Sequence, residues 1–184
     1  MNCGPMSEAA AGVTEDGFLG GRLRLGQPVS GHRAGHDAIL LAAATEARPG
    51  QRIADFGAGI GAAGLALARR VGGIDLLLVE IDPALAALAS ANAAANGITA
   101  RAVTLDVGAS AAVFADAGLA PDSFDAVLMN PPFNDFLRQQ ASPDPARRMA
   151  HQATAATLEG WIHAARRVLK PRGALTLILP AGGV

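Results

Sequence analysis

The sequence predicts a doubly wound α/β domain with a mostly parallel sheet, joined to a small N-terminal hairpin and helix unit. From Gly50 onward, short apolar runs alternate with Ala-rich stretches of helical period. The runs are nearly continuous rather than alternating, so both faces of each strand are expected to be covered, as in a parallel sheet. Behind the first run stands DFGAGIGAAG, a glycine-rich turn of the kind that carries a buried strand into a helix.

Residues 1–16 read as a disordered tail, since MNCGPMSEAAAG has neither a basic stretch nor an apolar one and so is no signal peptide. Residues 17–49 form the N-terminal unit. GFLGGRLRLGQPVSG alternates and is rich in glycine, which predicts a hairpin, and GHDAILLAAATEARPG predicts a helix with Asp37 near its start, where the dipole favours a carboxylate. Residues 50–184 form the α/β domain. QRIADFG is its first strand and GAAGLALARRV the helix behind it; IDLLLVEID is the second strand. Pro83 suits the first turn of the helix ALAALASANAAAN, which Asn96-Gly97 closes. TARAVTLDV is the third strand, GASAAVFADAGLA a weaker helix and SFDAVLMN the fourth strand. ATAATLEGWIHAARRVLK is an amphipathic helix with Trp161 on its apolar face, KPRG the turn that stops it, and GALTLILP the fifth strand.

The totals narrow the function classes. A chain of 184 residues holds one ordinary domain, and 51% apolar with 17% charged residues excludes a wholly disordered chain. The formal net charge of −1 makes no global case for nucleic acid, so any such contact must rest on local arginines. Cys3 is the only cysteine, which excludes an internal disulfide and a cysteine-based zinc site, so no metal is expected and a reducing cytoplasm fits. The apolar stretches are too short and too interrupted by charge to span a membrane.

In an open parallel sheet, ligands bind outside the carboxyl ends of the strands. Asp55, Glu80, Asp106 and Asn130 end the first four strands and should share one rim. Gly59 to Gly64 is a formal G-x-G-x-x-G, which admits a dinucleotide. Against that, Asp55 would stand close to a pyrophosphate, a poor place for an anion and a good one for a cationic ligand. Glu80 lies at the distance downstream at which an acid reaches ribose hydroxyls.

Behind the fourth strand comes NPPF, residues 130–133. Proline restricts its predecessor to extended geometry, so Asn130 and Pro131 are both held there, and two prolines bring no competing donor. The Asn130 side-chain oxygen and the Pro131 carbonyl can then accept both hydrogens of one exocyclic amino group. Such an amine is a poor nucleophile because its lone pair is delocalised, and two acceptors return density to nitrogen. Pro132 stiffens the kink, and Phe133 would stack on the ring, as in pockets for flipped bases. The bland alternative is a turn with a core phenylalanine.

These residues resemble the class I S-adenosylmethionine-dependent methyltransferases, whose fold is Rossmann-like. DFGAGIG resembles their first motif and NPPF their amino-methylating motif. Within them the chain is most similar to the small-domain group that includes the bacterial tRNA(Val) adenine-N6 methyltransferases, whose N-terminal block GGRLRLGQPVSGHRAGHDAILLAAA resembles. The resemblance implies S-adenosylmethionine as cofactor, with S-adenosylhomocysteine as product. It places Gly57, Gly59 and Gly61 at the methionine end, Glu80 on the ribose and Asp106 on the adenine. Asp55, Ile81, Val107 and Asn130 join the cofactor-binding set, as do Arg33, His36 and Asp37 from the N-terminal block. Asn130, Pro131, Pro132 and Phe133 would hold the target amine. The implied substrate is adenine N6 in tRNA, with Arg22, Arg24, Arg33, Arg138, Arg147 and Arg148 available for phosphates.

The resemblance also implies a final antiparallel hairpin that this chain lacks, since PAGGV follows the fifth strand directly. The chain is therefore expected to be truncated, or its fifth-strand edge to be covered by a partner such as a second copy, giving a homo-oligomer, or by the N-terminal unit. Other readings stay open. NPPF also serves cytosine N4, guanine N2 and a protein glutamine amide, and a silent nucleotide- or RNA-binding module would carry the same glycine turn.

Overall fold

The computed structural model describes residues 12–29, 33–131 and 158–179. A hairpin of β1 (Val13–Phe18) and β2 (Leu23–Pro28) comes first, followed by α1 (His36–Ala44). Then come β3 (Arg52–Phe56), α2 (Ala62–Val71), β4 (Asp75–Glu80), α3 (Pro83–Ala95), β5 (Ala100–Thr104), α4 (Ala111–Asp116) and β6 (Phe124–Met129). Helix α5 (158–168) and β7 (Leu169–Leu177) complete the described chain. The large sheet has the order β5-β4-β3-β6-β7 and is parallel throughout. The order reverses between β3 and β6, so their carboxyl ends flank the switch point.

The apolar runs divide residue by residue between the two faces. Ile53, Leu76, Leu78, Ala126 and Leu128 enter one buried cluster with α1, α2 and α3. Ala54, Leu77, Val79, Val127 and Met129 enter a second with Phe114 of α4 and Ala164, Ala165 and Val168 of α5. Cover on both faces is why the strands read as unbroken apolar runs. Asp82 caps α3 by accepting from the amides of Ala84 at 2.8 Å and Leu85 at 3.4 Å, with Pro83 in the first turn as expected. Gly97, at φ 62°, turns the chain out of its other end.

Three boundaries differ from expectation. The strand β1 begins at Val13, inside the segment read as tail, because Thr14 and Asp16 pair with Gln27 and Leu25 across the hairpin. Helix α4 covers only Ala111–Asp116, shorter than the apolar stretch suggested. KPRG does not separate helix from strand. Pairing begins at Phe124↔Leu169 and resumes at Ala126↔Ala174, so residues 170–173 bulge out of an established ladder. Arg172, at φ 68°, makes the bend, and Lys170 Nζ anchors the bulge on Asp125 Oδ1 at 2.7 Å.

The strand β7 pairs with β6 and has no strand on its other side among the described residues. Among those residues no helix is long and apolar enough to cross a membrane.

Candidate active site

The turn from β3 into α2 needs three left-handed residues, Gly57 at φ 69°, Gly59 at 56° and Gly61 at 84°, and glycine adopts these without a Cβ penalty. Its amides are then committed within the protein. Gly57 and Ala58 both donate to Val79 O at 2.9 Å, and Gly61 to Ala58 O at 2.8 Å. Gly59 donates to Glu80 Oε2 at 2.7 Å and Gly64 to Asp55 Oδ2 at 2.8 Å. An anion cradle depends on free amides at such a turn. Here carboxylates already take two of them, so the turn favours a neutral or cationic ligand over a pyrophosphate.

The strand ends bring Asp55, Glu80, Asp106 and Asn130 to one edge of the sheet, but not to equal exposure. Asp55 is only 2% exposed and faces inward. Burial pushes its carboxyl up to about 7; the Gly64 amide opposes this shift and the neighbouring Glu80 adds to it. The Asp55 carboxyl group accepts from the helix residue Gly64 and holds the turn from beneath. Glu80 is also buried and bridges Gly59 to the Asp82 amide, which it accepts at 3.0 Å through Oε1. Asp106 is exposed, with Oδ1 on the Gly108 amide at 2.7 Å. Ile81 is 62% exposed directly beside Glu80, an uncovered apolar surface at the strand end. The Val107 side chain is buried in the second cluster.

Asn130 is half-buried and Pro131 buried at the end of β6. A β-carbon built on Gly57 would stand 3.9 Å from the Asn130 carbonyl oxygen, so the glycine turn and the NPPF start abut. Pro132 and Phe133 lie outside the described residues, as do Arg138, Arg147 and Arg148.

The N-terminal block holds the hairpin more than the rim. Arg33 bonds Asp16, Thr14 and Pro28 O of the hairpin. Gln27, buried, donates to Asp16 at 2.9 Å and accepts from the Ala34 amide at 2.8 Å. Arg24 pairs with Glu15 on the surface at 3.3 Å. Two of the three hairpin arginines thus carry a carboxylate partner, leaving them less positive charge for phosphates. His36 and Asp37 are exposed in the first turn of α1, and among the described residues no hydrogen bond ties them to the glycine turn.

Two residues important to the site were not read from the sequence as such. Trp161 is half-buried and packs against the second core cluster, as expected, but it also reaches Gly57, with Cη2 2.7 Å from where a β-carbon would be. Asn92 of α3, 3% exposed, binds the Gly26 amide at 2.7 Å, the Gly26 carbonyl at 3.1 Å and the Ile60 carbonyl at 3.0 Å. It pins the hairpin to the glycine turn. The available signal was Asn92 and Asn96, one helical turn apart in an otherwise Ala-rich helix.

The sequence pattern of the methyltransferase small domain matches residues 32–181. The tRNA1(Val) (adenine(37)-N6)-methyltransferase of Porphyromonas gingivalis is 36% identical over 152 residues, 80% of this chain and 58% of that protein. The protein of the same name from Tolumonas auensis is 30% identical over 151 residues, 80% of this chain and 59% of its own. The chain thus spans less than two thirds of the length of these relatives. A solved structure described as a predicted O-methyltransferase of Agrobacterium tumefaciens superposes with a TM-score of 0.59 at 31% identity, over 77% of this chain and 60% of that one.

Proposed function

Because this chain belongs to the methyltransferase small domain family, we propose that it methylates an exocyclic amino group, adenine N6 in tRNA, with S-adenosylmethionine as donor. The observation that carries the reading is the meeting of the glycine turn at Gly57 with Asn130 at the switch point of the sheet.

The residues present fit that donor. Exposed Ile81 offers an apolar face for a base, Asp106 an exposed acceptor beside it, and Glu80 a carboxylate at the neighbouring strand end. Asp55 and Glu80 beneath the turn make its surroundings favourable to positive charge. When bound, S-adenosylmethionine supplies an electrophilic methyl group on a positively charged sulfur.

Asn130 Oδ1 and the Pro131 carbonyl accept the two amine hydrogens and direct the nitrogen lone pair toward the donor. Phe133, by its place in the motif, stacks on the base. Positioning and electrostatics supply the rate, with no base required to act before attack. The tRNA substrate is supported by the names of the relatives, and action on tRNA supports a cytoplasmic protein.

The test is transfer of labelled methyl from S-adenosylmethionine to total tRNA. Label should follow RNA, survive protease and be released by nuclease as N6-methyladenosine. Label that follows protein would replace the substrate with a glutamine amide. Tight S-adenosylhomocysteine binding with no transfer to any RNA would replace the enzyme with a silent binding module.

A further inference from the structure

We infer that Trp161 is a specificity-determining residue of the donor site, its indole facing the charged end of the methyl donor. The inference rests on the function proposed above and extends it to a residue that no motif includes.

Trp161 comes from α5, on the face of the sheet opposite α2, yet reaches over the end of β3. A β-carbon on Gly57 would lie 2.7 Å from Cη2 and 3.1 Å from Cζ3 of the ring, and 3.9 Å from the Asn130 carbonyl. The ring, the first glycine of the turn and the start of NPPF therefore converge on one point. Gly57 has two reasons to be glycine, its φ of 69° and this approach of the ring. The ring is half-buried and packs against the second cluster as well.

The electrostatics at that point favour a cation. Five amides of the turn and its helix start are given to protein acceptors, two of them carboxylates from below. An indole adds a negative π face. The donor carries its positive charge on sulfur, and after methyl departure the product sulfur is neutral. An aromatic wall there favours the charged donor over the spent product, which helps exchange one for the other.

The chain has one tryptophan, so its fluorescence reports on this residue alone. In the wild-type protein, S-adenosylmethionine should change the emission saturably, with the dissociation constant found by calorimetry. Trp161→Leu should weaken S-adenosylmethionine by about tenfold, the scale of a partly desolvated cation–π contact, and S-adenosylhomocysteine by about twofold at most. Trp161→Phe should restore most of the discrimination. Equal losses for both ligands, or emission indifferent to donor that calorimetry shows bound, would overturn the inference and leave the proposed function standing. Failure of the wild type to bind either ligand would overturn both. If Trp161→Leu does not fold, by circular dichroism, the wild-type emission and the Trp161→Phe affinity ratio decide.

Discussion

Asp55 Oδ2 lies 2.8 Å from the amide nitrogen of Gly64, nine residues on, and that bond closes the first turn of α2 under the glycine loop. Gly61 at the helix N-cap has no side chain to do this, so a buried strand residue does it instead.

The bond predicts a pH dependence. Burial raises the Asp55 carboxyl from its ordinary 3.8 to about 7 in the folded protein, so the folded state holds a proton that the unfolded chain releases. The stability this contributes is complete below 3.8 and is lost as pH rises toward about 7. Asp55→Asn keeps an acceptor for Gly64 but cannot ionise. Urea midpoints measured from pH 4 to 8 should fall more steeply with pH in the wild type than in Asp55→Asn. Parallel curves would contradict it.

Glu80 uses both oxygens on amides, Gly59 at 2.7 Å and Asp82 at 3.0 Å. Glu80→Gln leaves one of these donors facing an amide NH2. Affinity for S-adenosylhomocysteine should drop roughly tenfold to a hundredfold, the scale of a lost charge-assisted bond. Calorimetry measures the affinity, and hydrogen exchange at Gly59 should quicken in the same variant.

Asn130 stands at the end of β6 beside Gly57, and the proposed function assigns its side chain to the amine. Asn130→Ala should lower methyl transfer roughly a hundredfold or more, as loss of a group aimed at the reacting centre does. Its S-adenosylhomocysteine affinity should stay within a few-fold of wild type. A large loss of cofactor binding would contradict the division of labour between the strand ends.

Asn92 satisfies both polar groups of Gly26 and the carbonyl of Ile60 from inside the protein. Asn92→Ala strands these groups and should cost about 2–3 kcal/mol in urea unfolding. Asn96 makes a similar pair of bonds to Arg24, at 2.9 and 2.6 Å, but on the exposed side. Asn96→Ala should cost less than half as much, because water can replace it.

The strands, their parallel order of use and the glycine turn were legible because they are local or periodic. Unbroken apolar runs report two covered faces, and Gly57, Gly59 and Gly61 report positive φ at each position. Pro83 likewise announced the start of α3. KPRG misled because turn residues also serve a bulge, and only the register of β7 on β6 distinguishes the two. The Asp55–Gly64 bond was not legible because a strand-end acid looks the same whether it faces the cleft or the helix beneath.

By itself, the amino-acid order determined the fold class, the run of parallel strands and the glycine turn behind the first of them. Only the tertiary structure decided that Asp55 and Glu80 hold the turn from within, that Arg33 belongs to the hairpin, and that Trp161 reaches Gly57. The physical reason is range. Periodicity and dihedral preference act over a few residues, whereas the Asn92–Gly26 bond joins residues 66 apart, and such partners meet only after both faces of the sheet have packed.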